Sequence, residues 1–157
     1  MKLNDEILEK LAVRTIAYIK NNLKMDDISD IYEINNVEDI LYLDITALIA
    51  LSGDINGTIG FSVSSDISKE MVQNFIYGGV AEDQIDEFSS EVVSEVLNVT
   101  LGNILEDLFV ITNGGKVEIS TPHIMNNKVS ISKKENSEMY LCKLKYNNED
   151  IILSYFI

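Results

Sequence analysis

Four residues on one periodic segment carry the strongest chemical pattern in the sequence: Glu91, Glu95, Asn98 and Gly102, within an apolar-periodic stretch from Gln84 to Thr112. At the angular step of an α-helix these four fall within an arc of about 60°, opposite an apolar arc containing Phe88, Val92, Val93, Val96, Leu97, Val99, Leu101, Ile104 and Leu108. A carboxylate pairs with a cation. A carboxamide both donates and accepts, which is what holding a water in place requires. Any amphipathic helix carries polar residues outside, yet two of these suit that role badly. Asn is a mediocre helix former, and an interior helical Gly costs about 1 kcal/mol relative to Ala. Both share the carboxylates' face, and a glycine there clears a side chain from a point where another surface can approach closely.

The other reactive side chains form no comparable constellation. His123 follows the only proline, has no Ser or Cys at a triad-like spacing, and reads as a strand-edge polar residue. Cys142, within Tyr140 to Tyr146, reads as a small sheet residue rather than a nucleophile, and a lone cysteine forms no internal disulfide. Gly114-Gly115-Lys116 lacks the leading glycine and spacing of a phosphate loop and comes after a helix, so it reads as a helix stop. The acidic stretch from Met25 to Asp39 contains no glycine to anchor a calcium loop and is expected to be a solvated loop. No Cys/His cluster has zinc-ligand spacing, so no metal site of the chain's own is expected.

These residues need a scaffold, and the composition supplies one. With 157 residues, 46% hydrophobic and 24% charged, the chain is expected to be a single domain over 1–157 with one core. Its formal charge of −14 repels phosphate backbones and anionic lipid, which argues against nucleic acid and membrane surfaces as partners. The start lacks an apolar signal core, and the longest apolar run, Ala47 to Leu51, is far below the roughly 18 residues that span a bilayer. A cytoplasmic protein is expected, in which the glycosylation sequons at Asn56 and Asn98 have no meaning.

Apolar spacing predicts a first helix from Glu6 to Leu23, capped by Asn4 or Asp5. Leu41 to Leu51 and Thr58 to Val63 flank an Asn56-Gly57 turn and predict a β-hairpin. Ser65 or Asp66 caps a second helix that Gly78-Gly79 stops. The third helix, Gln84 to Thr112, is the long one that bears the polar ridge. Short β-rich runs follow at 116–120, 128–132, 139–146 and 151–157, and predict an antiparallel sheet. The expected fold is therefore α+β: three helices, one long and bearing the site, packed on an antiparallel β-sheet. Helix, hairpin and helix, followed by a long helix and more strands, is also the order a diverged duplication would leave.

The motif Glu91-x3-Glu95-x2-Asn98-x3-Gly102 resembles the signature of the CheC/CheX chemotaxis phosphatase family: an acidic or serine residue, then Glu, Asn and Gly at this spacing. Ile119-Ser120-Thr121-Pro122-His123-Ile124-Met125 is similar to that family's Ser-x-Pro segment, and Gly57-Thr58-Ile59-Gly60-Phe61-Ser62 to its glycine-led strand. Together the three segments cover most of the chain in the right order. The resemblance implies hydrolysis of the aspartyl phosphate of a CheY-like response regulator. Asn98 would orient the attacking water and Glu95 would dock to a partner lysine, with Glu91 and Gly102 as further partner-binding positions. Glu91 stands where Asp or Ser is usual. No cofactor of the chain's own is implied, because a divalent metal such as Mg is expected on the phosphorylated regulator. Glu9 is followed three residues later by Ala12 instead of Asn, so a single Glu-x-x-Asn ridge remains, as in the CheX branch, which also implies a homodimer. The alternatives are a non-catalytic regulator adaptor or flagellar-switch-like scaffold of the same fold, and a small acidic sensory domain.

Overall fold

In the computed structural model, residues 3–75 and 81–157 are described, and the expected Gly78-Gly79 helix stop lies outside them. The chain runs α1 (Leu3–Asn21), β1 (Glu33–Asn36), β2 (Asp39–Tyr42), β3 (Ile45–Gly53), β4 (Gly57–Val63), α2 (Ser65–Phe75), a 3-10 turn (Glu82–Gln84), α3 (Ile85–Leu105), α4 (Phe109–Thr112), β5 (Val117–Ile119), β6 (His123–Met125), β7 (Val129–Ser132), β8 (Met139–Tyr146) and β9 (Glu149–Phe156). Seven strands form one antiparallel sheet in the order β1-β8-β9-β4-β3-β5, with β6 also on β3. β2 and β7 form a separate antiparallel ribbon.

The α+β expectation holds, with a fourth, short helix added. Ile7, Leu8, Leu11 and Ile19 of α1 and Val92, Val93, Val96 and Leu97 of α3 bury themselves against one face of the sheet. Ile40 and Tyr42 of the ribbon cover Met139 and Ile152 on the opposite face. Both faces of the central strands are thus occupied, and β4 from Ile59 to Val63 and β9 from Ile151 to Tyr155 are buried at every position instead of at alternate ones, Ser62 and Ser154 included.

Several boundaries differ from expectation. α1 starts at Leu3, which places Asn4 and Asp5 inside the first turn instead of ahead of it. The acidic stretch from Met25 to Asp39 is not all loop: β1 pairs along β8 from Glu33↔Lys143 to Asn36↔Tyr140, as a polar edge strand with one half-buried side chain, Ile34. Leu41 to Leu51 divides into β2 and β3 at Leu43-Asp44. There the Asp44 carboxylate accepts from the Ser65 N–H at 2.8 Å, and Ser64, not Ser65 or Asp66, caps α2 by accepting from the Ile67 N–H. In the β3–β4 hairpin, Gly53 and Gly57 carry the positive φ angles (110° and 138°), while the Asn56 amide donates to the Gly53 carbonyl.

The long helix is shorter than its periodicity. α3 ends at Leu105, where Asp107 and Leu108 N–H groups bond three residues back to Ile104 and Leu105. The Lys10 ammonium donates to the Asp107 carbonyl at 3.0 Å, satisfying a carbonyl at this break. Both Ile104 and Leu108 stay buried, so the apolar pattern runs on through the interruption. The expected glycine stop belongs to α4: Gly114 sits at φ 88° and the Gly115 N–H bonds back to Val110.

Candidate functional site

α3 presents Glu91, Glu95, Asn98 and Gly102 together on its solvent face, and all four are exposed. The opposite face, with Ile85, Val92, Val93, Val96, Leu97, Leu101 and Ile104, is buried against the sheet and neighbouring helices. That packing fixes the helix's rotation and with it the direction of the ridge. Neither carboxylate on the ridge meets a cation among the described residues, whose ion pairs are Arg14–Asp107, Lys20–Asp30, Lys133–Glu38 and Lys145–Asp150. The Asn98 amide makes no side-chain hydrogen bond to any described residue. A β-carbon added at Gly102 would meet no atom within 4 Å, so internal packing places no demand for glycine there.

Two clefts flank the ridge and share its carboxylates. On one side Ser90, Glu91, Ser94, Glu95 and Asn98 face Pro122 and Ile124 across a cleft of about 390 Å³. The far wall comes from the Ser-x-Pro segment, which has a definite mechanical role. Ser120 exchanges two bonds with Ala50 of β3, donating its N–H to the carbonyl and accepting the amide proton on Oγ, each at 2.9 Å. Pro122, which has no N–H to donate, then falls at the gap before β6 resumes at His123↔Leu48. The Ser90 hydroxyl donates to Asn126 Oδ1 at 3.1 Å and ties α3 to the end of β6. On the other side Phe75 of α2 and Phe88 of α3 line a cleft of about 310 Å³ with Glu91, Val92 and Glu95. Tyr18 of α1 is close enough to Glu95 that the carboxylate, after burial as the larger cause, raises the phenol's pKa.

All four residues of the motif are brought together. Phe75 and Tyr18 beside them were not singled out from the sequence, because they reach the ridge from α2 and α1, and Phe88 was placed only on the apolar arc of α3. Only the Ser-x-Pro segment signalled any of the wall. His123 is exposed on edge strand β6, as expected. Cys142 is buried in β8, and burial, with Glu9 as a smaller cause, pushes its thiol up to about 12, which removes it as a nucleophile. Among the described residues no group of three or more His, Cys, Asp or Glu is arranged to hold a metal ion, and no helix is long and apolar enough to cross a membrane.

Solved structures share this architecture. A chemotaxis protein CheX from Desulfovibrio desulfuricans is similar at TM-score 0.73 and 17% identity, over 96% of this chain and 97% of the other. A CheC-like superfamily protein from Shewanella sp. PV-4 is similar at TM-score 0.75 and 16% identity, over 96% of both chains. A CheX from Borrelia burgdorferi, solved in complex with CheY, BeF3 and Mg2+, is similar at TM-score 0.63 and 17% identity, over 95% of both chains. At these identities the likeness is one of fold. Among curated proteins the sequence has no significant match. A family model described as chemotaxis phosphatase CheX matches residues 45–145, a span that contains β3, β4, the whole α3 ridge and the Ser-x-Pro segment. On that match, over more than half of its length, the chain belongs to the chemotaxis phosphatase CheX family.

Proposed function

We propose that this protein hydrolyses the aspartyl phosphate of a CheY-like response regulator, with the α3 ridge inserted at the regulator's phosphorylation site. The observation that carries the proposal is the placement of Asn98 and Glu95: one turn apart, exposed, on one face, and among the described residues the amide has no side-chain partner and the carboxylate no cation. An amide left free in mid-helix has both its donors and its acceptor available for a water.

In the proposed reaction the water held by Asn98 attacks phosphorus in line. A new P–O bond forms, the acyl-phosphate P–O bond breaks, and the regulator's aspartate departs as a carboxylate. Such a transfer depends on positioning and charge neutralisation more than on a strong base. The regulator supplies the neutralisation through its own divalent metal and a lysine, which Glu95 meets on docking. That division of labour is supported by the Borrelia relative, which was captured with CheY and Mg2+. Glu91 and Gly102 complete the contact surface, one by charge and one by leaving room. We further propose a cytoplasmic homodimer formed through free sheet edges, since β1 at one end and the β5/β6 edge at the other leave backbone groups unpaired.

Mixing the purified protein with phosphorylated CheY-like regulators and following phosphate release tests the proposal. Accelerated release that Asn98→Ala abolishes is the expected result. Binding without acceleration would leave the adaptor reading in its place.

A further inference from the structure

Phe75 stands apart from the other exposed apolar residues. It extends the buried stripe of α2, where Ile67, Met71 and Val72 face the core, yet it is 42% exposed. Among the described residues it is the only aromatic of the six exposed large hydrophobic side chains. With the half-buried Phe88 it lines a cleft whose remaining wall includes Glu91 and Glu95. An apolar cleft bordered by the carboxylates of the ridge is continuous with the surface that the proposed function assigns to the regulator.

We infer that Phe75 and Phe88 form an apolar seat for a nonpolar side chain that the response regulator carries beside its phosphorylation site, and that this seat discriminates among regulators. The inference rests on the reading of the α3 ridge as a regulator-docking surface and adds a second contact to it. Glu95 takes the cation and the aromatic pair takes the neighbouring nonpolar group, so that a regulator must offer both at the right separation. Burying an aromatic anchor at the centre of a contact is a common source of binding energy, whereas exposed charge pairs mostly steer and orient. A second copy of this chain is a poor occupant: each copy would bring its own Glu91 and Glu95 to the contact, between two molecules of formal charge −14.

The test compares wild type, Phe75→Ala, Phe75→Leu and Phe75→Asp in phosphate-release kinetics with phosphorylated CheY-like regulators, and in direct binding to the same regulators loaded with beryllofluoride and Mg2+. Because Phe75 is exposed, the variants are expected to fold, which thermal unfolding verifies. Phe75→Ala is expected to raise KM and weaken binding on the order of tenfold while kcat holds, as for loss of an anchor at an interface. Phe75→Leu should restore most of the affinity, Phe75→Asp should weaken it further, and the size of the loss should differ between regulators. Unchanged KM and binding for Phe75→Asp, in a protein whose hydrolysis Asn98→Ala still abolishes, would overturn the seat and leave the ridge standing. A Phe75→Asp protein that loses its dimer but keeps its KM would assign the seat to a second copy and overturn it equally. Hydrolysis that Asn98→Ala leaves undiminished, or a wild type that binds no regulator, would remove the ridge reading itself.

Discussion

Helices α1 and α3 lie on the same face of the sheet, side by side, with Lys10 and Arg14 of the first reaching Asp107 beyond the end of the second. They carry residues at the same spacing, Asp5, Glu9, Ala12 and Ile16 on one and Glu91, Glu95, Asn98 and Gly102 on the other, yet only α3 presents a ridge. On α1 the last two positions turn inward, with Ala12 0% and Ile16 7% exposed. Glu9 is exposed but accepts a hydrogen bond from the Tyr32 hydroxyl at 3.3 Å. A carboxylate already engaged by a neighbour, ahead of two core residues, has no amide to offer and no open surface for a partner. The spacing of a motif therefore matters less than the rotation its helix adopts, and packing sets that rotation. Val92, Val96 and Leu97 turn the ridge of α3 outward, while Leu8, Leu11, Ala12 and Ile16 turn the equivalent positions of α1 into the core.

The sharpest way to break this contrast is to write the missing amide into α1. Ala12→Asn is expected to destabilise the fold by about 3 kcal/mol, combining overpacking with a buried amide that lacks partners, and to add no second activity. Denaturant midpoints and phosphate release on the same sample measure both. A variant that stayed stable and gained turnover would show α1 to be a latent second site.

The reverse change, Asn98→Ala, should leave stability almost untouched, because the side chain is exposed and bonds to no described residue. Turnover is expected to fall about a hundredfold, close to 2.7 kcal/mol of transition-state stabilisation, as suits loss of a positioning group. Single-turnover phosphate release measures it, with affinity for a beryllofluoride-loaded regulator near that of wild type. A fall of less than threefold would take the water-orienting role away from Asn98.

How far these contrasts could be read from the sequence differs between the two helices. The ridge of α3 was legible, because Glu91, Glu95, Asn98 and Gly102 oppose a clean apolar arc and helical geometry alone places them together. The fate of α1 was only half legible: Ala12 in place of Asn could be seen, but the Tyr32 contact with Glu9 joins α1 to the segment before β1 and leaves no local trace. The same holds for Phe75, which reaches the ridge from α2, whereas Pro122 and Ile124 belong to the Ser-x-Pro segment that the sequence did show. Strand β1 was missed because an edge strand of Glu33, Ile34, Asn35 and Asn36 has too few buried positions to show a period. The end of α3 was missed for the opposite reason, since Ile104 and Leu108 keep the helical period across residues that no longer follow α-helical bonding.

A smaller effect sharpens the comparison at the two glutamates. Glu95→Lys is expected to weaken regulator binding about tenfold or somewhat more, because it sets like charges together at the docking point, and Glu95→Ala to weaken it less. Glu9→Lys, on the helix without a ridge, should leave binding within twofold of wild type, as remote exposed charges usually do. Raising the salt concentration should shrink the Glu95 effect by screening the pair. Titrations against one regulator at low and high salt measure all of this, and equal affinities for Glu95→Lys and Glu9→Lys would erase the distinction between the helices as docking surfaces.

The smallest effect is expected at Gly102, where the matching residue of α1 is the buried Ile16. A methyl group at Gly102 meets nothing within 4 Å, so Gly102→Ala should stabilise the protein by about 1 kcal/mol through helix propensity alone. The fold therefore gives no reason for a glycine at this point, and the proposed reason lies in a partner's approach. Two measurements on one series separate these contributions: thermal unfolding of Gly102→Ala and Gly102→Leu in isolation, and their affinity for a beryllofluoride-loaded regulator. If the partner approaches closely here, stability should rise or hold in both variants while affinity falls modestly with Ala and further with Leu, since only the complex feels the added volume. Full affinity in the Leu variant would place the contact elsewhere along α3 and confine docking to Glu91, Glu95 and Asn98.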